Sequence, residues 1–127
     1  MIKFFLVIFL SLLLIIPLFI YTVNFPGQKM NENLLNKVNA VENQWINYDG
    51  TVEQDNNMIQ SQFVPYNSNE SYKVNNDTYV SYYKGEDFIT TELHGAESEL
   101  AIVEEADGVI LSFNKENKNG IKLVTTD

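Results

Sequence analysis

The sequence contains no cysteine, no arginine and a single histidine, His94. Without cysteine there is no disulfide and no thiolate metal ligand, so a zinc site would depend on His94 and carboxylates. A hydrolytic triad would likewise depend on this one histidine. If the chain is exported, a domain without disulfides must rely on its hydrophobic core for stability. Exported domains without disulfides are more typical of a Gram-positive envelope than of a eukaryotic secretory route.

Positive charge is scarce and unevenly distributed. Of the eight lysines in the 127 residues, only Lys3 precedes residue 24, whereas all seventeen acidic residues follow it. From Asn24 onward the chain has seven lysines and seventeen carboxylates, a net charge of −10. Such a surface repels phosphate backbones, so nucleic acid is excluded as a partner.

Charge is absent altogether from a run of twenty residues that begins at Phe4 and ends at Val23. A helix of that length spans about 30 Å, the thickness of a bilayer's hydrocarbon core. No pair of small residues follows the run in the spacing that signal peptidase needs, so we predict an uncleaved signal-anchor over residues 1–24, with secretion after cleavage as the alternative. Lys3 places the N-terminus in the cytoplasm and the rest outside. A pilin-like subunit is disfavoured, since no Glu lies early in the run.

Residues 25–43 are predicted to form a stalk. Apolar residues recur there at spacings of four, four, three and four: Met30, Leu34, Val38, Val41 and Trp45. This periodicity is typical of one face of a helix and predicts a short amphipathic helix from Asn31 to about Val41.

Residues 44–127 are predicted to form an all-β sandwich. Short runs rich in Tyr, Phe, Val and Ile alternate there with Asn, Asp and Gly clusters. The predicted strands are Gln44–Tyr48, Gln62–Tyr66, Ser71–Val74, Thr78–Tyr83, Phe88–Thr91, Glu99–Val103, Val109–Phe113 and Ile121–Thr125. The expected core residues are Phe63, Val64, Val80, Tyr82, Phe88, Ile110 and Phe113, with Trp45 at the edge of the core.

An ordered series of motifs runs through the same region: Ser61-Gln-Phe-Val-Pro-Tyr66, Tyr72, Tyr79-Val-Ser-Tyr-Tyr-Lys84, Asp87-Phe-Ile-Thr90 and the stretch ending Val-Ile-Leu-Ser-Phe113. It resembles the carbohydrate-binding-like, galactose-binding-like jelly-roll modules that precede SGNH-type hydrolase domains in bacterial and phage envelope proteins. Gln62, Lys84 and Leu111 depart from that pattern. The resemblance implies a jelly-roll fold and an accessory module without its hydrolase, since neither a Gly-Asp-Ser nor an Asp-x-x-His block occurs.

Four tyrosines, Tyr66, Tyr72, Tyr79 and Tyr83, form the candidate ligand-binding set. Flat rings that tolerate water stack on sugar faces or anchor protein interfaces, so we expect these four to be exposed. The alternative is that they are half-buried strand residues selected for β propensity. His94 is expected in a loop.

The carboxylate groups at 97–99 and 104–107 are expected to be solvated surface. A structural Ca²⁺ site there is the alternative, and otherwise no metal, cofactor or catalytic residue is expected. The sequence thus predicts a non-enzymatic, membrane-anchored, extracytoplasmic module that binds cell-envelope glycan. The alternative is an interaction protein that docks another envelope protein or a separately encoded hydrolase.

Overall fold

The computed structural model describes residues 32–126 of the chain. The predicted membrane segment and the first part of the predicted stalk lie outside these residues. Within residues 32–126, no helix is both long enough and apolar enough to cross a bilayer.

Nine strands form two antiparallel sheets in the described range, which confirms the predicted sandwich. They are β1 (Val41–Ile46), β2 (Val52–Gln60), β3 (Val64–Pro65), β4 (Ser71–Val74), β5 (Thr78–Lys84), β6 (Asp87–His94), β7 (Ser98–Glu99), β8 (Gly108–Asn114) and β9 (Leu123–Thr126). The larger sheet has the order β1-β2-β8-β5-β6, with β3 also paired to β8, and the smaller sheet has the order β7-β4-β9.

The main core lies between the two sheets. On the larger sheet Val80 pairs with Leu111 and Tyr82 with Val109, so their side chains project together toward the smaller sheet. The smaller sheet contributes one apolar pair, Val74 with Leu123, which is fully buried. Alternation along each strand thus divides the larger sheet into an inner face toward this core and an outer face away from it.

The β1–β2 hairpin folds across the outer face of the larger sheet. The amide of Ile46 donates to Ser112 Oγ at 3.1 Å, and Ile46 is buried although it lies outside the main core. The pairing of β1 with β2 shifts register at Asn43, which has a φ of 68°, between the pairs Glu42–Ile59 and Gln44–Gln54. At the hairpin tip the backbone of Gly50 (φ 87°) lies against the ring of Phe88.

The predicted helix from Asn31 to Val41 is wrong within the described residues. The chain there is extended except for a 3-10 turn at Lys37–Asn39, and Val41 already begins β1. Asn33 and Asn36 accept hydrogen bonds from backbone amides two residues ahead of them, which competes with helix formation.

The same segment is instead fastened to the domain. The Leu34 amide donates to the Leu123 carbonyl at 2.8 Å, and Leu35 is buried in the main core. A second hydrogen bond joins the segment to Gln62, whose Oε1 accepts from the Asn36 amide at 3.3 Å.

The strand predictions are accurate for β4 and nearly so for β5 and β8. They miss β2 altogether and extend β7 over a segment that is irregular in the structure. Among the expected core residues, Val64, Val80, Tyr82 and Phe113 are buried as predicted.

The other three expected core residues lie elsewhere. Phe63 remains 44% exposed, because its ring lies over Gly108 rather than between the sheets. Phe88 and Ile110 are half-buried. Ile110 lies opposite Ser81 on the outer face, and Phe88 contacts the hairpin tip there.

Candidate functional site, an aromatic groove on the outer face

Three aromatic rings meet on the outer face of the larger sheet. Tyr79 of β5 is half-buried, and the hairpin places the ring of Trp45 at 4.8 Å from it, centroid to centroid. Tyr48 meets the same tyrosine edge-on at 5.9 Å and is itself 60% exposed. The distances suit tilted and edge-to-face aromatic contacts, which favour a fixed arrangement of rings at a wet surface.

A groove of about 420 Å³ lies beside Tyr79. Its lining residues come from β2, β5, β6 and β8, from Asp77 before β5 and from the turn after β8. They are Met58, Asp77, Thr78, Tyr79, Leu93, Ser112, Phe113, Asn114, Glu116 and Asn117. Its volume falls in the range of about 300–1,000 Å³ that is usual for small-molecule sites. Apolar side chains, two amides and two carboxylates therefore line the groove together with Tyr79.

Local backbone structure places the polar residues at the rim. Asn114 ends β8 and accepts the Glu116 amide at 2.9 Å, which caps the 3-10 turn Lys115–Asn117 and brings Glu116 to the groove. On the opposite side, Asp77 precedes β5 and its Oδ1 accepts the Ala96 amide at 2.8 Å. Lys115 is directed elsewhere, since its Nζ donates to the side chain of Asn43 in the hairpin.

Tyr66 and Tyr72 are buried, so the expectation that they are exposed is wrong. Their rings stack at 5.1 Å, and their relative exposures are 6% and 5%. The hydroxyl of Tyr72 accepts the Asn67 amide at 2.9 Å, and that of Tyr66 accepts the Val103 amide at 3.2 Å. With their hydroxyls bonded internally, these two tyrosines serve the fold, although their edges line a separate hollow of about 310 Å³.

Tyr83, the fourth candidate, lies on β5 like Tyr79 but outside the groove. It is half-buried, and its ring meets Phe88 edge-on at 5.7 Å. Burial raises the pKa of its hydroxyl. The structure therefore separates the predicted set: Tyr79 lies at the groove, whereas Tyr66, Tyr72 and Tyr83 do not.

His94 is the last residue of β6 and not a loop residue, and its side chain is buried. Its Nε2 lies 3.3 Å from the Tyr82 hydroxyl, which donates to the Ala101 carbonyl at 2.9 Å. Burial lowers the pKa of His94, an effect partly opposed by Glu92, and burial also raises the pKa of Tyr82. Over residues 32–126, no three His, Asp or Glu side chains are arranged to hold a metal ion.

The groove and the aromatic cluster around Tyr79 contain residues that sequence reasoning did not select. Trp45 and Tyr48 lie within the predicted strand Gln44–Tyr48, but nothing in their spacing indicates that they meet Tyr79. Met58 and Leu93 belong to strands whose exposed side chains form the walls only after the hairpin folds back. The one available signal was the pair of aromatics, Trp45 and Tyr48, just before and within the Asn47–Thr51 turn.

Comparison with known proteins identifies no relative. No protein-family model matches the chain, and no match is found among curated proteins or among solved structures.

Proposed function

We propose that this protein is a non-catalytic, extracytoplasmic module that binds cell-envelope glycan at the aromatic groove and is held at the membrane by residues 4–23. The single observation that carries the glycan proposal is the aromatic groove itself. An aromatic side chain flanked by amides and carboxylates suits a pyranose, which presents an apolar C–H face for the ring and hydroxyl groups for the polar side chains.

The membrane part of the proposal rests on the sequence. The uncharged run of twenty residues and Lys3 before it support an anchor with the domain outside the cell. Tethering near the wall raises the local concentration of ligand, so weak binding would suffice there.

The jelly-roll assignment also belongs to the proposal. It is supported by the resemblance and by the path of the chain, which crosses between the two sheets five times from β3 to β9. Such repeated crossing is a property of double-sheet β folds built from Greek keys.

Co-sedimentation of the full-length protein, in detergent, with purified cell walls tests the glycan proposal. We expect the protein to sediment with intact walls and to remain in solution when the wall glycan has first been digested by a glycosidase. Sedimentation that survives digestion of the glycan but is lost after protease treatment of the walls would contradict it. That result would favour the interaction-protein alternative instead.

Fractionation of the expressing cell tests the anchor. We expect the protein in the membrane fraction after alkaline extraction, with an intact mass that includes residues 1–23. A shorter mass in the culture medium would show that the run is cleaved and that the module is secreted.

A further inference from the structure

We propose that the groove prefers glycans with free amino groups over N-acetylated or anionic ones. This inference rests on the proposed function, because it names the ligand class of the same site. It follows from the charges around the groove and from what the nearby lysines already bind.

The groove has carboxylates but no compensating cation. Asp77 and Glu116 belong to its lining, and none of the described residues that line it is a lysine. The two lysines of the adjoining turn are engaged with the hairpin: Lys115 binds Asn43, and Lys118 lies 3.6 Å from the Glu42 carboxylate. A ligand therefore meets uncompensated negative charge here, on a chain that carries −10 beyond residue 23.

The remaining lining suits a sugar ring rather than a bare cation. Tyr79, Met58 and Leu93 offer apolar surface, and Leu93 is 57% exposed. The charged residue next to Leu93 on β6 is Glu92. Asn114 and Asn117 supply amides for hydroxyl groups. Glucosamine units present all three features that match: an apolar face, hydroxyls and an ammonium group.

The two carboxylates are not equivalent. Asp77 Oδ1 already accepts the Ala96 amide, so replacing Asp77 would also disturb the loop before β7. Glu116 is exposed, and its backbone amide rather than its carboxylate makes the capping bond to Asn114. Glu116→Gln therefore removes charge from the rim without removing a structural contact.

Titration of the full-length protein in detergent with two matched oligosaccharides tests the proposal. Glucosamine oligomers, at a pH where their amines are protonated, should bind more tightly than N-acetylglucosamine oligomers of equal length. One exposed ion pair contributes roughly 0.2–1 kcal/mol, so Glu116→Gln should weaken glucosamine binding by about 1.4- to fivefold. Its effect on N-acetylglucosamine binding should be smaller, because that ligand has no ammonium group to pair with the carboxylate. Glu105→Gln, which removes the same charge from an exposed loop outside the groove, is the matched control and should have no effect.

The outcomes separate this inference from the proposed function. Equal affinity for the two oligomers, unchanged by Glu116→Gln, would overturn the amino-sugar preference but leave glycan binding intact. Binding of neither oligomer would contradict the proposed function and this inference with it. Competition by oligolysine as strong as that by glucosamine oligomers, with no loss in Tyr79→Ala, would show that charge alone is recognised and would also overturn the inference.

Discussion

The two faces of the larger sheet are covered in different ways. The inner face packs against the smaller sheet through apolar side chains such as Val80 and Leu111, both fully buried. The outer face has small hydroxyl side chains in the same strands, and Ser81 bonds Thr91 across β5 and β6 at 2.6 Å. The covering there is a hairpin whose second strand is mostly polar, with five of its nine residues exposed.

This difference separates stability from binding. An apolar interface is stabilised in proportion to the area it buries, so the inner face contributes most to the free energy of folding. Apart from Ile59, which belongs to the main core where β2 pairs with β8, the hairpin has only Ile46 as a buried apolar residue, so its outer part lies at the less stable end of the domain. Its looser packing leaves Tyr79 and the groove accessible, and this is where we place the ligand.

The largest expected effect compares Val80→Asp with Ile110→Asp. Val80 faces the main core, where a carboxylate would have no partner, so this change should unfold the domain. Ile110 lies on the outer face and is half-buried, so its replacement should leave a folded domain of reduced stability. Circular dichroism with urea denaturation measures both. Equal loss of structure in the two variants would remove the distinction between the faces.

The next effect compares two glycines with positive φ. An alanine Cβ at Gly50 would lie 2.6 Å from Phe88 Cγ, whereas at Gly85 (φ 57°) nothing lies within 4 Å. Both changes incur backbone strain, on the order of 1 kcal/mol. Only Gly50→Ala should also displace the hairpin, which would appear as faster amide hydrogen exchange in β1 and β2. Unchanged exchange there would show that the hairpin tip does not depend on its contact with Phe88.

A smaller effect concerns pH and the buried inner-face pair of Tyr82 and His94. Because burial lowers the pKa of folded His94 below 6.5, the unfolded chain binds the proton more readily. The stability contributed by neutral His94 is therefore complete above pH 6.5. It is lost as the pH falls from 6.5 through the lower folded pKa.

Urea midpoints of wild type and His94→Gln across this pH window measure that contribution. The wild type should lose more stability than the variant as the pH falls, because the variant lacks the titrating ring. Parallel pH profiles of the two proteins would show that His94 contributes nothing to the pH dependence.

The inner face was largely predictable from the sequence, and the outer face was not. The alternation in β5 assigned Val80 and Tyr82 to the core, because apolar and β-branched residues with a period of two have few other solutions. In contrast, β2 has six polar residues among its nine and gives no strand signal. It is a strand because it pairs with β1 and β8, which a local pattern does not reveal.

The tyrosines show the same limit. Tyr66 and Tyr79 both lie in predicted strands, yet one is buried and the other lies at the groove. The burial of Tyr66 depends on hydrogen bonds to the loop at Ala101 and Val103, more than thirty residues away in the chain. Tyrosine is compatible with either environment, so its partners decide and sequence spacing does not.

Binding of cell-envelope glycan by Tyr79→Ala and Tyr83→Ala tests the central claim most directly. The two tyrosines share β5 and are both half-buried, but Tyr79 lines the groove and Tyr83 does not. With glycan affinity measured on the full-length proteins, we predict a loss of about tenfold or more for Tyr79→Ala, the size of an interface anchor. Tyr83→Ala should bind like the wild type. Equal affinities of the two variants would contradict the assignment of the binding site to this groove.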